Sequence, residues 1–268
     1  TQTLQVWQAL AEHAQVEARL HAAEKLSELG EVHQARTLLR SLINNVSIQP
    51  NYRAQAASKL SETSLDSDTE AVEAQTPILA EAEQSLKNMA NRRSARERLE
   101  GSAGMVRLGH PEFVQPIVNM LDDANLEPEL HRRVLELLVE LGQQDHLRFA
   151  VTKQAPTPEL QLSHRRDAIQ ALQQVLPAEA VKHWAAYAAQ PDLPFDKAKI
   201  ALENLRAAFS QTPEGTASPY VQEGFSSLLE LGSNENIPAV VRLAAADTLE
   251  AMDQIKEANA IYYVLQSD

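Results

Sequence analysis

The sequence predicts an all-α protein assembled from repeated helical hairpins. Apolar residues recur at helical spacing, and a hairpin-sized unit returns about every 34 residues. No stretch alternates apolar and polar residues between hairpin turns, as an exposed strand would. Of the 268 residues, 44% are hydrophobic and 4% aromatic, so the core must be built from Ala, Leu, Val and Ile, which suits closely packed helices.

The first helical stretch runs over 3–29, with an expected break near His13. Residues 31–45 carry Ala35, Leu38, Leu39, Leu42 and Ile43 on one face, a stripe that Val46 extends. Helices are then expected at 51–63, 70–90 and 92–108, and Gly101-Ser102-Ala103-Gly104 reads as a glycine-interrupted part of the last rather than a phosphate loop. In 111–122, Val114, Ile117, Val118 and Leu121 form the apolar face, and Pro116, inside that helix, should kink the chain and free a carbonyl. The remaining helices are expected at 128–142, 144–153, 158–176, 178–190, 194–210, 218–232, 238–253 and 255–266. Pro50, Pro111, Pro128, Pro158, Pro177, Pro194, Pro219 and Pro238 stand just ahead of these runs, where a missing N–H is harmless. Gly30, Gly109, Gly142 and Gly232 follow apolar runs, as C-terminal caps do. Short connections place successive helices antiparallel.

A basic residue opens the second helix of each hairpin: Arg19, Arg53, Arg98, Arg133, Arg166 and Lys199, at gaps of 34, 45, 35, 33 and 33 residues. The long gap marks an insertion near 65–91, beginning with the acidic stretch Leu65-Asp66-Ser67-Asp68-Thr69-Glu70. Residues 211–219, rich in Gly, Ser, Thr and Pro, are the expected hinge in what otherwise reads as a single repeat domain over 1–268. The chain opens at Thr1, without Met and already in a helical pattern, which reads as a piece of a longer protein.

The net charge of −13 disfavours nucleic acid and anionic membranes as general partners. It is unevenly spread, at −5 over residues 1–91, −1 over 92–153 and −7 over 154–268. There is no cysteine for a thiolate site, no run of 18 apolar residues and no signal-peptide pattern, so the segment reads as soluble and cytoplasmic. Catalytic motifs, metal-ligand spacings and cofactor motifs are missing, and neither enzyme activity nor a cofactor is expected.

Residues 109–142 resemble a HEAT repeat of the short bacterial type. The resemblance rests on Gly109-His110-Pro111-Glu112, on Val114-Gln115-Pro116-Ile117-Val118, on the Asp122-Asp123 turn and on the closing Leu138-Val139-Glu140-Leu141-Gly142. Residues Ala22 to Leu42 are similar to HEAT/TPR hybrids found beyond the nucleotide-binding modules of bacterial STAND or NACHT ATPases, and to bilin-lyase-type HEAT proteins. The resemblance implies a right-handed α-solenoid of about six or seven hairpins, with the second helices on the concave side. It also implies that Asp122 or Asp123 pairs with Arg133 or Arg166 of a neighbouring unit.

On that concave face, Arg93, Arg96, Arg132, Arg165 and Lys199 would form a positive stripe for an acidic peptide, a phosphate-bearing ligand or a nucleic-acid backbone. The alternative is a solvated face on which Glu97, Glu136 and Asp167 pair with them. His131-Arg132-Arg133 and His164-Arg165-Arg166 share a phase, so their surface members should stack in neighbouring units. Trp184 and Tyr187, beside His183, are candidate aromatic anchors for a partner, with core packing as the alternative, and Tyr263 is a third. The function these features point to is a non-catalytic scaffold that binds another protein or peptide or senses a ligand, of the kind found in a larger bacterial signalling ATPase. The alternatives are a bilin-lyase-like chaperone and a DNA-binding repair protein.

Overall fold

The computed structural model describes residues 2–13, 15–63, 72–123, 126–153, 158–190, 193–213 and 215–266. Among these residues there are fifteen α-helices and no strand. The chain divides into two compact units, Thr1–Asp123 and Ala124–Asp268.

The first unit holds α1 (Gln2–Ala11), α2 (Val16–Glu28), α3 (Val32–Asn44), α4 (Pro50–Glu62), α5 (Val72–Ala90), α6 (Ala95–Arg107) and α7 (Val114–Asn119). Its second helices pack side by side, α2 on α4 and α4 on α6. Its first helices are linked in the same order, α1 to α3 by Gln8 donating to Gln34 at 3.0 Å and α3 to α5 by Arg40 and Glu81 at 2.9 Å. Between the two rows lie Leu39, Leu42, Leu60, Leu86 and Met105. Each such side chain contributes about 1.5–3 kcal/mol through burial. The expected break near His13 is real: the ring Nδ1 accepts the Gln15 N–H at 3.1 Å between α1 and α2. The acidic stretch 65–70 lies outside the described residues.

The second unit holds α8 (Pro128–Glu140), α9 (Gln144–Thr152), α10 (Pro158–Val175), α11 (Pro177–Ala188), α12 (Phe195–Ser210), α13 (Pro219–Ser233), α14 (Ala239–Ala251) and α15 (Ile255–Leu265). Second helices again meet, α8 on α10 and α12 on α14, while the first helices α11, α13 and α15 pack in sequence. Arg148 on α9 and Glu179 on α11 join that row at 2.9 Å. The stretch expected to be a hinge joins α12 to α13 within this unit, whereas the division between units falls after Asp123.

Two local expectations are corrected. Pro116 does not interrupt a helix, because Pro111–Phe113 and Met120–Asp122 are 3-10 turns and α7 starts only at Val114. Proline therefore sits in a first turn, where its missing N–H frees no carbonyl. Gly232 is not a terminal cap. It lies inside α13, where a Cβ would collide with Ile261 of α15. Gly30, Gly109 and Gly142 do take the left-handed conformation of a cap, with φ between +67° and +93°.

Two arginines near the start of second helices grip backbone carbonyls. Arg53 donates its Nε to the Ile43 carbonyl at 3.0 Å, and Arg242 donates its Nε to the Gly232 carbonyl at 2.9 Å. In both cases the acceptor is the next-to-last residue of the preceding helix, one of the carbonyls a helix end leaves without a backbone donor. Arg133 reaches Glu136 and Glu140 on its own helix, and Arg166 lies on Asp167.

Candidate functional site

Ridges of side chains on neighbouring second helices leave furrows between them, and three of the grooves among the described residues are of this kind. One of about 170 Å³ lies over α2 and α4 and carries Glu24, Glu28, Lys59 and Glu62. One of about 120 Å³ separates α8 from α10 and is lined by Arg132, Glu136, Asp167, Gln170 and Gln174. The third, about 290 Å³ and the largest of these three, lies between α12 and α14 and sets the apolar Phe195, Val240 and Leu243 beside Lys199, Glu203 and Arg206.

The groove between α8 and α10 has the most specific chemistry. Its two helices are held in register by His131 and His164, one repeat apart, whose rings lie parallel within 2° with centroids 3.7 Å apart. The stacking expected of surface residues in the two His-Arg-Arg triplets is thus made by the histidines. His131 is 5% exposed, and burial pushes its pKa down to about 3, with His164 acting in the same direction. Burial also lowers His164, against the opposing field of Asp167. Both rings are therefore neutral near pH 7 and add no charge to the groove.

Asp167, one turn along α10 from His164, is 6% exposed. Its Oδ1 accepts from Arg166 Nε at 3.0 Å and Nη2 at 2.7 Å. Its Oδ2 faces Arg132 Nε across the groove at 3.8 Å, an ionic contact too long for a hydrogen bond. A single buried carboxylate thus sits against two guanidinium groups from different helices. The Arg132 and Arg166 side chains remain 54% and 42% exposed, and Arg133 partners Glu136 at 3.3 Å.

The residues singled out from sequence fall into different settings. Arg93 and Arg96 are exposed in the first unit, in the turn before α6 and in its first turn. Arg132 and Lys199 line grooves in the second unit, the first between α8 and α10 and the second between α12 and α14. Arg165 is half-buried, and burial lowers its guanidinium from the ordinary range against the opposing effect of Tyr187 on α11. The five cations are therefore not alike in their surroundings.

Trp184 and Tyr187 are core residues, 0% and 2% exposed. The Trp184 indole donates to Gln173 at 2.9 Å, and the Tyr187 hydroxyl donates to the Leu162 carbonyl at 3.2 Å, so together they latch α11 onto α10. Burial this complete withholds both rings from a partner. His183 beside them is lowered by burial and then by Lys182. Tyr263 is 74% exposed, whereas the hydroxyl of its neighbour Tyr262 lies 2.8 Å from both Asp247 and Glu250 and shares its one proton between them.

Sequence reasoning passed over Asp167 as a brace and Phe195, Val240 and Leu243 as a surface. The recurrence of His131 and His164 at 33 residues was the available signal for the first, since it sets α8 and α10 in register. Among the described residues no three His, Cys, Asp or Glu side chains converge as a metal site, and no helix is long and apolar enough to cross a membrane. Compared with known proteins, the chain matches no family model and no curated relative.

Proposed function

We propose that this chain is a HEAT-like α-solenoid that serves as a non-catalytic scaffold, binding a partner polypeptide along its second-helix row. The observation that carries the reading is that, among the described residues, three grooves open along second helices. The groove between α12 and α14 is the strongest docking position. Phe195, Val240 and Leu243, each 43–47% exposed, offer apolar contact beside the charges of Lys199, Glu203 and Arg206. Exposed apolar side chains gathered in a furrow and rimmed by charge suit one or two apolar anchors of an extended peptide. The HEAT resemblance supports the same assignment and makes the sensor end of a larger signalling protein a natural setting for it.

The test is selection of a displayed peptide library on the full chain. Recovered peptides should lose binding to a Val240→Asp, Leu243→Asp double variant and keep it to Val46→Asp, a change at a 76% exposed valine in the first unit. Peptides that bind both variants equally, or a selection that enriches none, would contradict the reading.

A further inference from the structure

We infer that Arg132 and Arg166, braced by Asp167, form a clamp for a phosphate monoester carried by a side chain of the partner. This inference rests on the scaffold reading above and names one ligand group within it. Its basis is that one buried carboxylate engages both guanidinium groups, through Oδ1 to Arg166 and through Oδ2 to Arg132. Arg166 spends its Nε and Nη2 edge on Asp167, Arg132 makes only the ionic approach, and both keep further N–H donors on their exposed parts. Holding the guanidinium groups in advance lowers the ordering cost of binding.

The ligand class follows from the donor set. Arg132 arrives from α8 and Arg166 from α10, and the Gln170 amide lies one turn further along α10. Two guanidinium groups reaching one carboxylate from two helices offer several N–H donors, which the three free oxygens of a phosphate monoester can use more fully than the two of a carboxylate. The local charge is balanced, since Arg133 lies on Glu136 and Glu140 while Asp167 lies against both clamp arginines, so recognition rests on the placed N–H donors rather than on a surplus of positive charge. The stacked neutral imidazoles beneath fix the spacing of α8 and α10 without adding charge. A phosphodiester backbone is the poorer fit, because its long run of charge would meet the field of a chain carrying −13.

The experiment is calorimetric titration of the full chain with a phosphoserine peptide, the same peptide with glutamate in place of phosphoserine, inorganic phosphate and a DNA oligonucleotide. The phosphoserine peptide and phosphate should bind saturably. Arg132→Gln and Arg166→Gln should each weaken the phosphopeptide by at least about tenfold, while Arg93→Gln leaves it unchanged. Asp167→Asn should also weaken it, although the substitution makes the groove more positive. Tightening by Asp167→Asn would overturn the bracing role, since a simple field effect has that sign. Absence of phosphate binding, indifference to both arginine variants in a folded protein, or equal affinity for the glutamate peptide or DNA would overturn the clamp. Peptide docking in the groove between α12 and α14 is read separately with the Val240 and Leu243 variants, so failure of the clamp and failure of the scaffold are distinguishable.

Discussion

His131 should make the second unit sensitive to mild acid, and replacing it should remove most of that sensitivity. Its pKa is held at about 3 in the folded chain, against 6.5 for the free side chain. The folded state refuses a proton that the unfolded state accepts. The resulting stability is complete above pH 6.5 and is lost as pH falls through 6.5 toward 3. At about 1.4 kcal/mol per pKa unit the whole effect is about 5 kcal/mol, of which about 2 kcal/mol is lost between pH 7.5 and pH 5. His164, lowered by the same burial, adds in the same direction. The assay is urea unfolding followed by Trp184 fluorescence in a Trp7→Phe background, because Trp7 lies in the first unit and Trp184 is buried in the second. His131→Phe keeps a planar ring against His164 and cannot titrate. The parent should lose about 2 kcal/mol more than the variant between pH 7.5 and pH 5. Equal losses in the two proteins would refute the assignment of the acid sensitivity to this ring.

Other perturbations follow from the packing. A Cβ at Gly101 would fall 2.7 Å from Met89 Cβ, so Gly101→Ala should force α5 and α6 apart and cost about 1–3 kcal/mol, read as a lower urea midpoint of the first unit. Arg53→Met and Arg242→Met should each cost about 1–3 kcal/mol by leaving a helix-end carbonyl without its donor, and comparable losses at the two sites in thermal melts would show that they play the same part. Trp184→Phe should destabilise the second unit by more than about 1 kcal/mol in urea, because it opens a cavity and strips Gln173 of its donor. Val240→Asp with Leu243→Asp should lower the melting temperature only slightly, since both side chains are about half exposed and outside the core, while abolishing peptide capture.

Helix positions were largely legible in the sequence because their ends carry chemistry that acts locally. Pro50, Pro128, Pro158, Pro177 and Pro219 stand in first turns, and Gly30, Gly109 and Gly142 close helices with positive φ. Non-local roles were less legible. In His131-Arg132-Arg133 successive side chains turn by about 100° around the helix, so the triplet repeat alone does not say which member faces the neighbouring helix. Packing turned the imidazoles inward and left Arg132 on the groove. The carbonyl-capping role of Arg53 and Arg242 was hidden for a related reason: the acceptor is backbone, ten residues upstream, and has no side-chain signature. Gly232 looked like a cap in sequence because the constraint on it comes from Ile261, 29 residues later.

The most direct test of the account is to find which row of helices touches a ligand, and a chain without cysteine allows it cleanly. Single cysteines at Gln170→Cys and Leu243→Cys, on second helices, and at His146→Cys and Tyr263→Cys, on first helices, would carry a photo-crosslinker in the presence of a selected peptide. Crosslinks from Gln170→Cys or Leu243→Cys alone are the expected result. Crosslinks arising chiefly from His146→Cys and Tyr263→Cys would contradict the claim that the second-helix row is the binding face.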